Sequence, residues 1–152
     1  MKAADVLATL RRLYRPPEWA FFEELRCGTG YDALSGGPML GLEKRLDAWA
    51  LALWPSRGFR PTAFEIKVSR SDFLRDRRGG DKYRRYLELC QYLYFVTPEG
   101  LVTVSETPSA AGLIWVSDDA RIVKPAPERA LPPLDWPFLA AICRRVCRNE
   151  VP

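Results

Sequence analysis

Residues 45–69, RLDAWALALWPSRGFRPTAFEIKVS, hold two apolar segments separated by a short connection, and they decide the fold. The first segment, residues 45–54, is almost continuously apolar and predicts a buried β-strand. The connection contains prolines and a glycine, which are typical of a turn. In residues 62–69 apolar and polar side chains alternate, which predicts a second strand with Glu65 and Lys67 on one face. Two antiparallel neighbouring strands follow from this pattern.

The turn also fixes the register of the two strands. With its centre near residues 56–58, residues whose numbers sum to about 112 to 116 lie opposite each other. Asp47 is therefore expected across from Glu65, Lys67 or Ser69. A solvated outer face, or a plain Asp47 to Lys67 ion pair, would also fit this spacing. Asp47 lies within an otherwise apolar run, where an uncompensated carboxylate is costly, and this favours a functional role.

Helical spacing, capping residues and short apolar runs predict the other elements. The predicted helices cover residues 6–14, a short stretch from about Asp72, residues 82–93 with Asp81 as the cap, and residues 139–147. The predicted strands cover residues 93–97, 102–104, 113–116 and 122–123, while residues 18–26 fit either a helix or a strand. This order predicts an α/β fold in which a mixed central β-sheet is flanked by helices, within a single domain spanning residues 1–152.

Composition excludes several kinds of chemistry. The chain has 152 residues, of which 47% are hydrophobic and 28% charged, and no histidine, so histidine-dependent zinc sites and catalytic triads are excluded. No stretch is apolar enough to cross a membrane, and the amphipathic start does not resemble a secretory signal, so a cytoplasmic location is expected. The cysteines are expected to be reduced, buried thiols: Cys27, Cys90, Cys143 and Cys147.

The predicted strand pair carries the groups that phosphodiester hydrolysis needs. Asp47 and Glu65 supply hard carboxylate oxygens of the kind that bind Mg²⁺, and the backbone carbonyl of Ile66 adds another oxygen. Lys67 points from the same strand face as Glu65, so its ammonium group can reach the attacking water and the phosphate oxygens. The spacing therefore predicts a metal site with a lysine beside it.

Asp47 followed by Glu65-Ile-Lys67 resembles the D…(D/E)-x-K signature of the PD-(D/E)XK nuclease superfamily. The longer stretch FEIKVSRSDFLRD, then Asp81-Lys82 and YLELCQYLYFVTP, is similar to the MmcB-like DNA repair proteins, over about residues 19–98. The resemblance implies a restriction-endonuclease-like core and Mg²⁺-dependent cleavage of DNA, with Mn²⁺ expected to substitute. It also implies an acidic metal ligand from the N-terminal element. Glu24 is the best match, with Glu23 next, so the implied catalytic set is Glu24, Asp47, Glu65 and Lys67.

A basic segment follows the second strand of the hairpin. Residues 67–85 contain eight basic and three acidic side chains in a chain whose net charge is only +4, which favours a polyanionic partner. Lys82 and Arg70 are predicted to contact DNA phosphates, whereas Asp72 fits a helix cap as well as a role in the site. The aromatic side chains at strand and helix spacing are expected in the core: Trp49, Trp54, Tyr83 and Tyr86.

The resulting hypothesis is a metal-dependent DNA nuclease in DNA repair or mobile-element DNA processing, with a homodimer as one arrangement that would suit duplex cutting. A non-cleaving DNA-binding module of the same fold is the alternative. An interaction domain for an acidic protein is a third interpretation, and it predicts no salt-sensitive affinity for DNA. Replacing Lys67 with alanine is expected to abolish turnover and leave the fold intact.

Overall fold

Six strands form a mixed sheet whose spatial order follows the sequence, β1-β2-β3-β4-β5-β6, in a computed structural model. The structure describes residues 1–28, 44–77 and 82–150, without the side chains of Lys82 and Glu150. The strands are β1 Trp19–Arg26, β2 Arg45–Ala52, β3 Thr62–Ile66, β4 Tyr92–Pro98, β5 Gly112–Val116 and β6 Ala120–Lys124. The pairs β1–β2, β2–β3 and β5–β6 are antiparallel, whereas β3–β4 and β4–β5 are parallel.

Helices cover both faces of this sheet. They are α1 Ala3–Leu13, α2 Arg70–Arg77, α3 Lys82–Leu87 and α4 Trp136–Glu150, with 3-10 turns at Pro55–Arg57 and Val104–Glu106. On one face α1 packs Val6 and Leu10 against Phe64 and its neighbours. On the other face α2, α3 and α4 pack against Trp49 and its neighbours, and they contribute Phe73, Tyr83, Tyr86 and Phe138. The prediction of a mixed sheet flanked by helices is confirmed at this level.

The β2–β3 hairpin has the register that its turn predicts. Ala48 pairs with Phe64, Trp49 with Ala63 and Ala50 with Thr62, so paired residue numbers sum to 112. Gly58 ends the connecting 3-10 turn in a left-handed conformation, with a φ of 71° that a glycine adopts without strain. Extending this register places Asp47 opposite Glu65 rather than Lys67 or Ser69.

Several elements differ from the sequence prediction. Residues 18–26, whose sequence fits either a helix or a strand, contain the strand β1. Residues 102–104 form no strand, and they lead into the 3-10 turn Val104–Glu106. β2 and β3 end earlier than predicted, and α2 begins two residues before Asp72. α3 ends at Leu87, where i→i−3 bonds from Glu88 and Leu89 close the last turn, and β4 begins at Tyr92. Asp81, the predicted cap of α3, lies outside the described residues.

Two expectations about burial are wrong. Trp54 is 52% exposed because it follows the end of β2, whereas Trp49, Tyr83 and Tyr86 are buried as predicted. Cys27 and Cys90 are buried free thiols, but Cys143 and Cys147 are exposed on the outer side of α4. In the described ranges, no helix combines the length and the apolar character that crossing a membrane requires.

Candidate active site

Asp47 lies where the ladder between β2 and β3 ends. Leu46 and Trp49 both pack on the α4 face whereas Ala48 packs toward α1, so side-chain alternation breaks beside Asp47. The charge of Asp47 helps to raise the pKa of Tyr83 and Tyr86, which lie on the Trp49 face. The Oδ2 atom of Asp47 accepts a hydrogen bond of 2.8 Å from the backbone N–H of Ile66. In a continued ladder this N–H would donate to a backbone carbonyl of β2, and here it donates to the Asp47 side chain. The carbonyl of Ile66 points toward the same side as its N–H, because both groups of one strand residue face one neighbour.

Glu65, Lys67 and Asp76 form a buried ionic cluster beside Asp47. The Glu65 side chain is 2% exposed and its Oε1 atom is 2.8 Å from Nζ of Lys67, whose side chain is 10% exposed. Lys67 also donates a short hydrogen bond to Oδ2 of Asp76 in α2. One ammonium group therefore lies between two carboxylates, so its position is fixed by both partners.

Sequence reasoning missed Asp76 because it placed the start of α2 near Asp72. Of the two serines that the sequence offers as caps, Ser69 and Ser71, the structure uses Ser69, whose Oγ atom accepts a 3.2 Å hydrogen bond from the backbone N–H of Asp72. Asp72 then pairs with Arg75 on the exposed side. Asp76 follows the buried Phe73 by three residues, and this i, i+3 spacing was the available signal that Asp76 faces inward.

Two buried tyrosines border this cluster. Burial is the largest cause that raises the pKa of Tyr83, and the charges of Glu65, Asp76 and Asp47 raise it further. Burial likewise raises the pKa of Tyr86, whose hydroxyl donates a 2.7 Å hydrogen bond to the carbonyl of Arg45. Both phenols are therefore neutral at any physiological pH. The charges of Asp47 and Glu65 contribute to the raised pKa of both phenols, and that of Asp76 contributes to the raised pKa of Tyr83.

Glu24 has a different setting from the one that the resemblance implies. It is exposed and has a φ of 50°, and no pair forms at its position between Glu23↔Ala48 and Leu25↔Leu46, although the register is the same on both sides and would set Glu24 opposite Asp47. Its side chain lines a cavity rich in arginine. Within the described ranges no three aspartate, glutamate, cysteine or histidine side chains form a group suited to a metal ion, so Glu24 is not grouped with Asp47 and Glu65.

The alternative ligand Glu23 is held elsewhere. Its Oε1 atom accepts a 2.8 Å hydrogen bond from Nε of Arg11 in α1, which lies on the other face of the sheet from α2. The structure therefore brings together Asp47, Glu65, Lys67 and the end of β3 at Ile66. It places neither predicted N-terminal glutamate in that group.

Of the two predicted phosphate contacts, Arg70 is already paired with an acidic side chain. Both guanidinium nitrogens of Arg70 contact Glu106, one of them at 3.0 Å, and the same guanidinium donates a 3.0 Å bond to the carbonyl of Leu101. A DNA phosphate would therefore have to compete with Glu106 for Arg70. The side chain of Lys82 lies outside the described part of the structure.

We expect Glu106→Gln to change how stability depends on pH. The hydrogen bond from Arg70, then those from the backbone and hydroxyl of Thr103, lower the pKa of Glu106 from 4.5 to about 2. A lowered pKa in the folded state stabilises the protein above pH 4.5, and this contribution is lost as the pH falls toward about 2. Urea unfolding at several pH values should show the variant less stable near neutrality, with the difference shrinking in acid. A difference that stays constant across this range would contradict the assignment.

Comparisons with known proteins were informative only about the fold. No protein-family model matches the sequence, and no curated protein matches it. The structure is similar to that of a protein of unknown function from Silicibacter pomeroyi, with a TM-score of 0.66 and 24% sequence identity. The alignment covers 99% of this chain and 92% of that chain. The likeness at this identity shows a shared mixed α/β fold and carries no information about activity.

Proposed function

We propose that the protein is a Mg²⁺-dependent nuclease that hydrolyses phosphodiester bonds in DNA. The observation that carries this proposal is the arrangement at the end of the β2–β3 hairpin. There Asp47 and Glu65 occupy opposite positions in the register, and the ammonium group of Lys67 is 2.8 Å from Glu65. A charged cluster of this kind is costly to bury for stability alone, which favours a functional reason for keeping it.

The donor set fits a magnesium ion. Mg²⁺ is commonly held by one or two carboxylates with waters and substrate phosphate completing its shell, so a third protein carboxylate is not required. Asp47, Glu65 and the Ile66 carbonyl would hold the ion through hard oxygens. When bound there, the ion would offset phosphate charge and make a coordinated water more acidic.

Lys67 would contribute the cationic group on the protein side. Its ammonium has three N–H donors, of which Glu65 and Asp76 use two. The third can donate to a water or to a phosphate oxygen at the site. Asp76 acts as a positioning residue, because it holds Nζ of Lys67 from the side opposite Glu65. The neutral phenol of Tyr83 borders the same volume and helps to exclude bulk water from it.

The finer assignments belong to the same proposal. A restriction-endonuclease-like core is supported by the D…ExK spacing on the central hairpin together with the parallel strand β4 beside β3. The motif stretch that resembles MmcB-like proteins supports a role in DNA repair or mobile-element DNA processing. DNA is then the partner, the cytoplasm the expected location, and a homodimer the arrangement suited to cutting both strands.

A non-cleaving DNA-binding module of the same fold is the second candidate. Two observations favour it: Lys67 is already engaged by two carboxylates, and Glu24 is not grouped with Asp47 and Glu65. Such a module would bind DNA in a salt-sensitive manner without requiring a metal ion.

An assay on several DNA forms separates the two candidates. Purified protein is incubated with single-stranded, duplex and branched DNA in the presence of Mg²⁺, of Mn²⁺, or of a chelator. The nuclease proposal predicts metal-dependent cleavage of at least one form and none with the chelator. Binding to DNA without cleavage under any condition would support the module and overturn the nuclease. A protein that neither binds nor cleaves DNA would overturn both.

A further inference from the structure

A small cavity between the hairpin β1–β2 and helix α4 is lined by five arginines and a single glutamate. We call it the arginine cavity, and its charged lining consists of Arg26, Arg45, Arg144, Arg145, Arg148 and Glu24. Its volume is about 120 Å³. Pockets for drug-sized ligands begin at about 300 Å³, so this cavity has room for one ionic group rather than a whole nucleotide.

In the β1–β2 hairpin, the register places two positively charged side chains at opposite positions. Arg26 and Arg45 are direct cross-strand partners in the β1–β2 ladder. Like charges at directly opposite positions destabilise a sheet unless another charge compensates them. Both side chains are exposed at the mouth of the arginine cavity, so a bound anion can contact them from solvent.

In helix α4, three arginines that line the cavity lie on one face of the helix. Ala141, Arg144, Arg145 and Arg148 follow the spacing i, i+3, i+4, i+7 and so share one face of the helix. Arg144 and Arg148 are an i, i+4 pair of like charge, which is unfavourable on an isolated helix. The helix dipole accounts for Arg148 in the last turn, but it does not account for arginines on the facing strands.

Several other arginines of the protein contact acidic side chains. Arg11, Arg70 and Arg85 contact Glu23, Glu106 and Asp135 respectively. Across residues 1–28, 44–77 and 82–150, the five guanidinium groups of the arginine cavity make no ion pair and donate no hydrogen bond. Glu24 is the only acidic side chain among the described residues that line the cavity, so this lining carries a net positive charge.

From this arrangement we infer that the arginine cavity binds a phosphate group of a DNA strand. Guanidinium groups donate paired hydrogen bonds that match phosphate oxygens, and several of them converge here. The cavity is also close to the candidate active site, since Arg45 precedes Asp47 by two residues, about 7 Å along β2. A strand anchored in the cavity would extend past Asp47. The inference rests on the proposed action on DNA, and it assigns to the cavity either a terminal phosphate or an internal phosphodiester.

DNA binding without metal tests the inference separately from cleavage. Fluorescence anisotropy in a chelating buffer over a salt series compares the wild type with Arg26→Gln/Arg45→Gln and Arg144→Gln/Arg148→Gln. The matched control is Arg57→Gln/Arg121→Gln, which removes two exposed arginines outside both the cavity and the basic segment of residues 67–85. Each cavity variant should bind DNA about tenfold or more weakly, and its salt slope should fall by about 0.7 to 0.9 for each phosphate that it no longer neutralises. The control should stay within about twofold of the wild type.

Oligonucleotides with a 5′-phosphate, a 3′-phosphate or no terminal phosphate distinguish the two sources of the group. If the wild type prefers one phosphorylated end and the cavity variants lose that preference, the cavity binds a terminal phosphate. If the cavity variants lose the same amount of affinity for all three oligonucleotides, the cavity binds an internal phosphodiester. Urea unfolding monitors the fold, and removal of like charges should leave stability unchanged or slightly raised.

The outcomes separate this inference from the proposed function. Cavity variants that bind all three oligonucleotides as the wild type does, while the wild type cleaves DNA, would overturn the inference alone. A wild type that binds through the cavity but never cleaves would overturn the nuclease and retain the cavity. A wild type with no affinity for DNA would overturn the inference outright.

Discussion

Replacing Glu65 with glutamine is expected to reduce metal-dependent DNA hydrolysis by about 10²–10³-fold while the protein stays folded. Glutamine has nearly the same shape, so the buried site that Glu65 fills at 2% exposure is not emptied. The change removes an anionic oxygen that would hold Mg²⁺ opposite Asp47. The size of the effect is that expected when one preorganised electrostatic interaction is removed from an active site. Initial cleavage rates on the preferred DNA form, with saturating Mn²⁺, measure it.

The matched control for this variant is Glu99→Gln. Glu99 is exposed and pairs with Arg121 at the far side of the sheet, so its replacement should leave cleavage unchanged. Thermal unfolding of both variants shows that each is folded at the assay temperature. A Glu65→Gln protein that is folded and cleaves DNA as fast as the wild type would remove Glu65 from the mechanism.

The pairing of Asp47 with Glu65 could be predicted because local chemistry determines it. Alternation in residues 62–69 fixes the face of each side chain, and a turn of known length fixes the register within two residues. The observed register, extended by one pair beyond Ala48↔Phe64, places Glu65 opposite Asp47. Neither step needs information from a distant part of the chain.

Asp76 and the arginine cavity could not be predicted in the same way because they depend on tertiary packing. Asp76 reaches Lys67 only after α2 has packed Phe73 onto the sheet. Arg26 and Arg144 are far apart in sequence and meet only because α4 packs against β1. Nothing in the spacing of these arginines within their own segments distinguishes them from a solvated charged face.

Some local signals were present but outweighed by others. The apolar alternation at residues 102–104 predicts a strand, yet Thr103 and Glu106 form a reciprocal capping box that begins a 3-10 turn. Glu24 was placed in the metal site by resemblance alone. Its positive φ turns the side chain out of the ladder, and sequence spacing gives no sign of that conformation.

Replacing Lys67 with alanine is expected to lower the free energy of unfolding by about 3–5 kcal/mol, the range observed when one partner of a buried ion pair is removed. The Lys67 side chain is 10% exposed and lies between Glu65 and Asp76, whose side chains are 2% and 16% exposed. Removing the ammonium group takes away a cationic partner that these two poorly solvated carboxylates share. The sequence-based expectation that Lys67→Ala leaves the fold intact did not include this pair of partners.

Urea unfolding of three proteins measures this contribution. The wild type and Lys67→Ala are compared with the triple variant Lys67→Ala/Glu65→Gln/Asp76→Asn. The triple variant also removes the two carboxylate charges that contact Lys67, so it should recover part of the lost stability. A single variant within about 0.5 kcal/mol of the wild type would show that the ammonium group does not balance the buried carboxylates.

This stability effect decides how loss of activity in Lys67→Ala should be interpreted. A loss of several kcal/mol is a large part of the roughly 5–15 kcal/mol that stabilises an ordinary domain. Inactivity of Lys67→Ala would therefore be expected of a nuclease and of a partly unfolded protein alike. Glu65→Gln leaves the Lys67 to Asp76 pair in place, and it replaces the charged partner of Lys67 at position 65 with a neutral side chain of nearly the same shape. Cleavage that is lost in Glu65→Gln and unchanged in Glu99→Gln thus tests the chemistry independently of the fold.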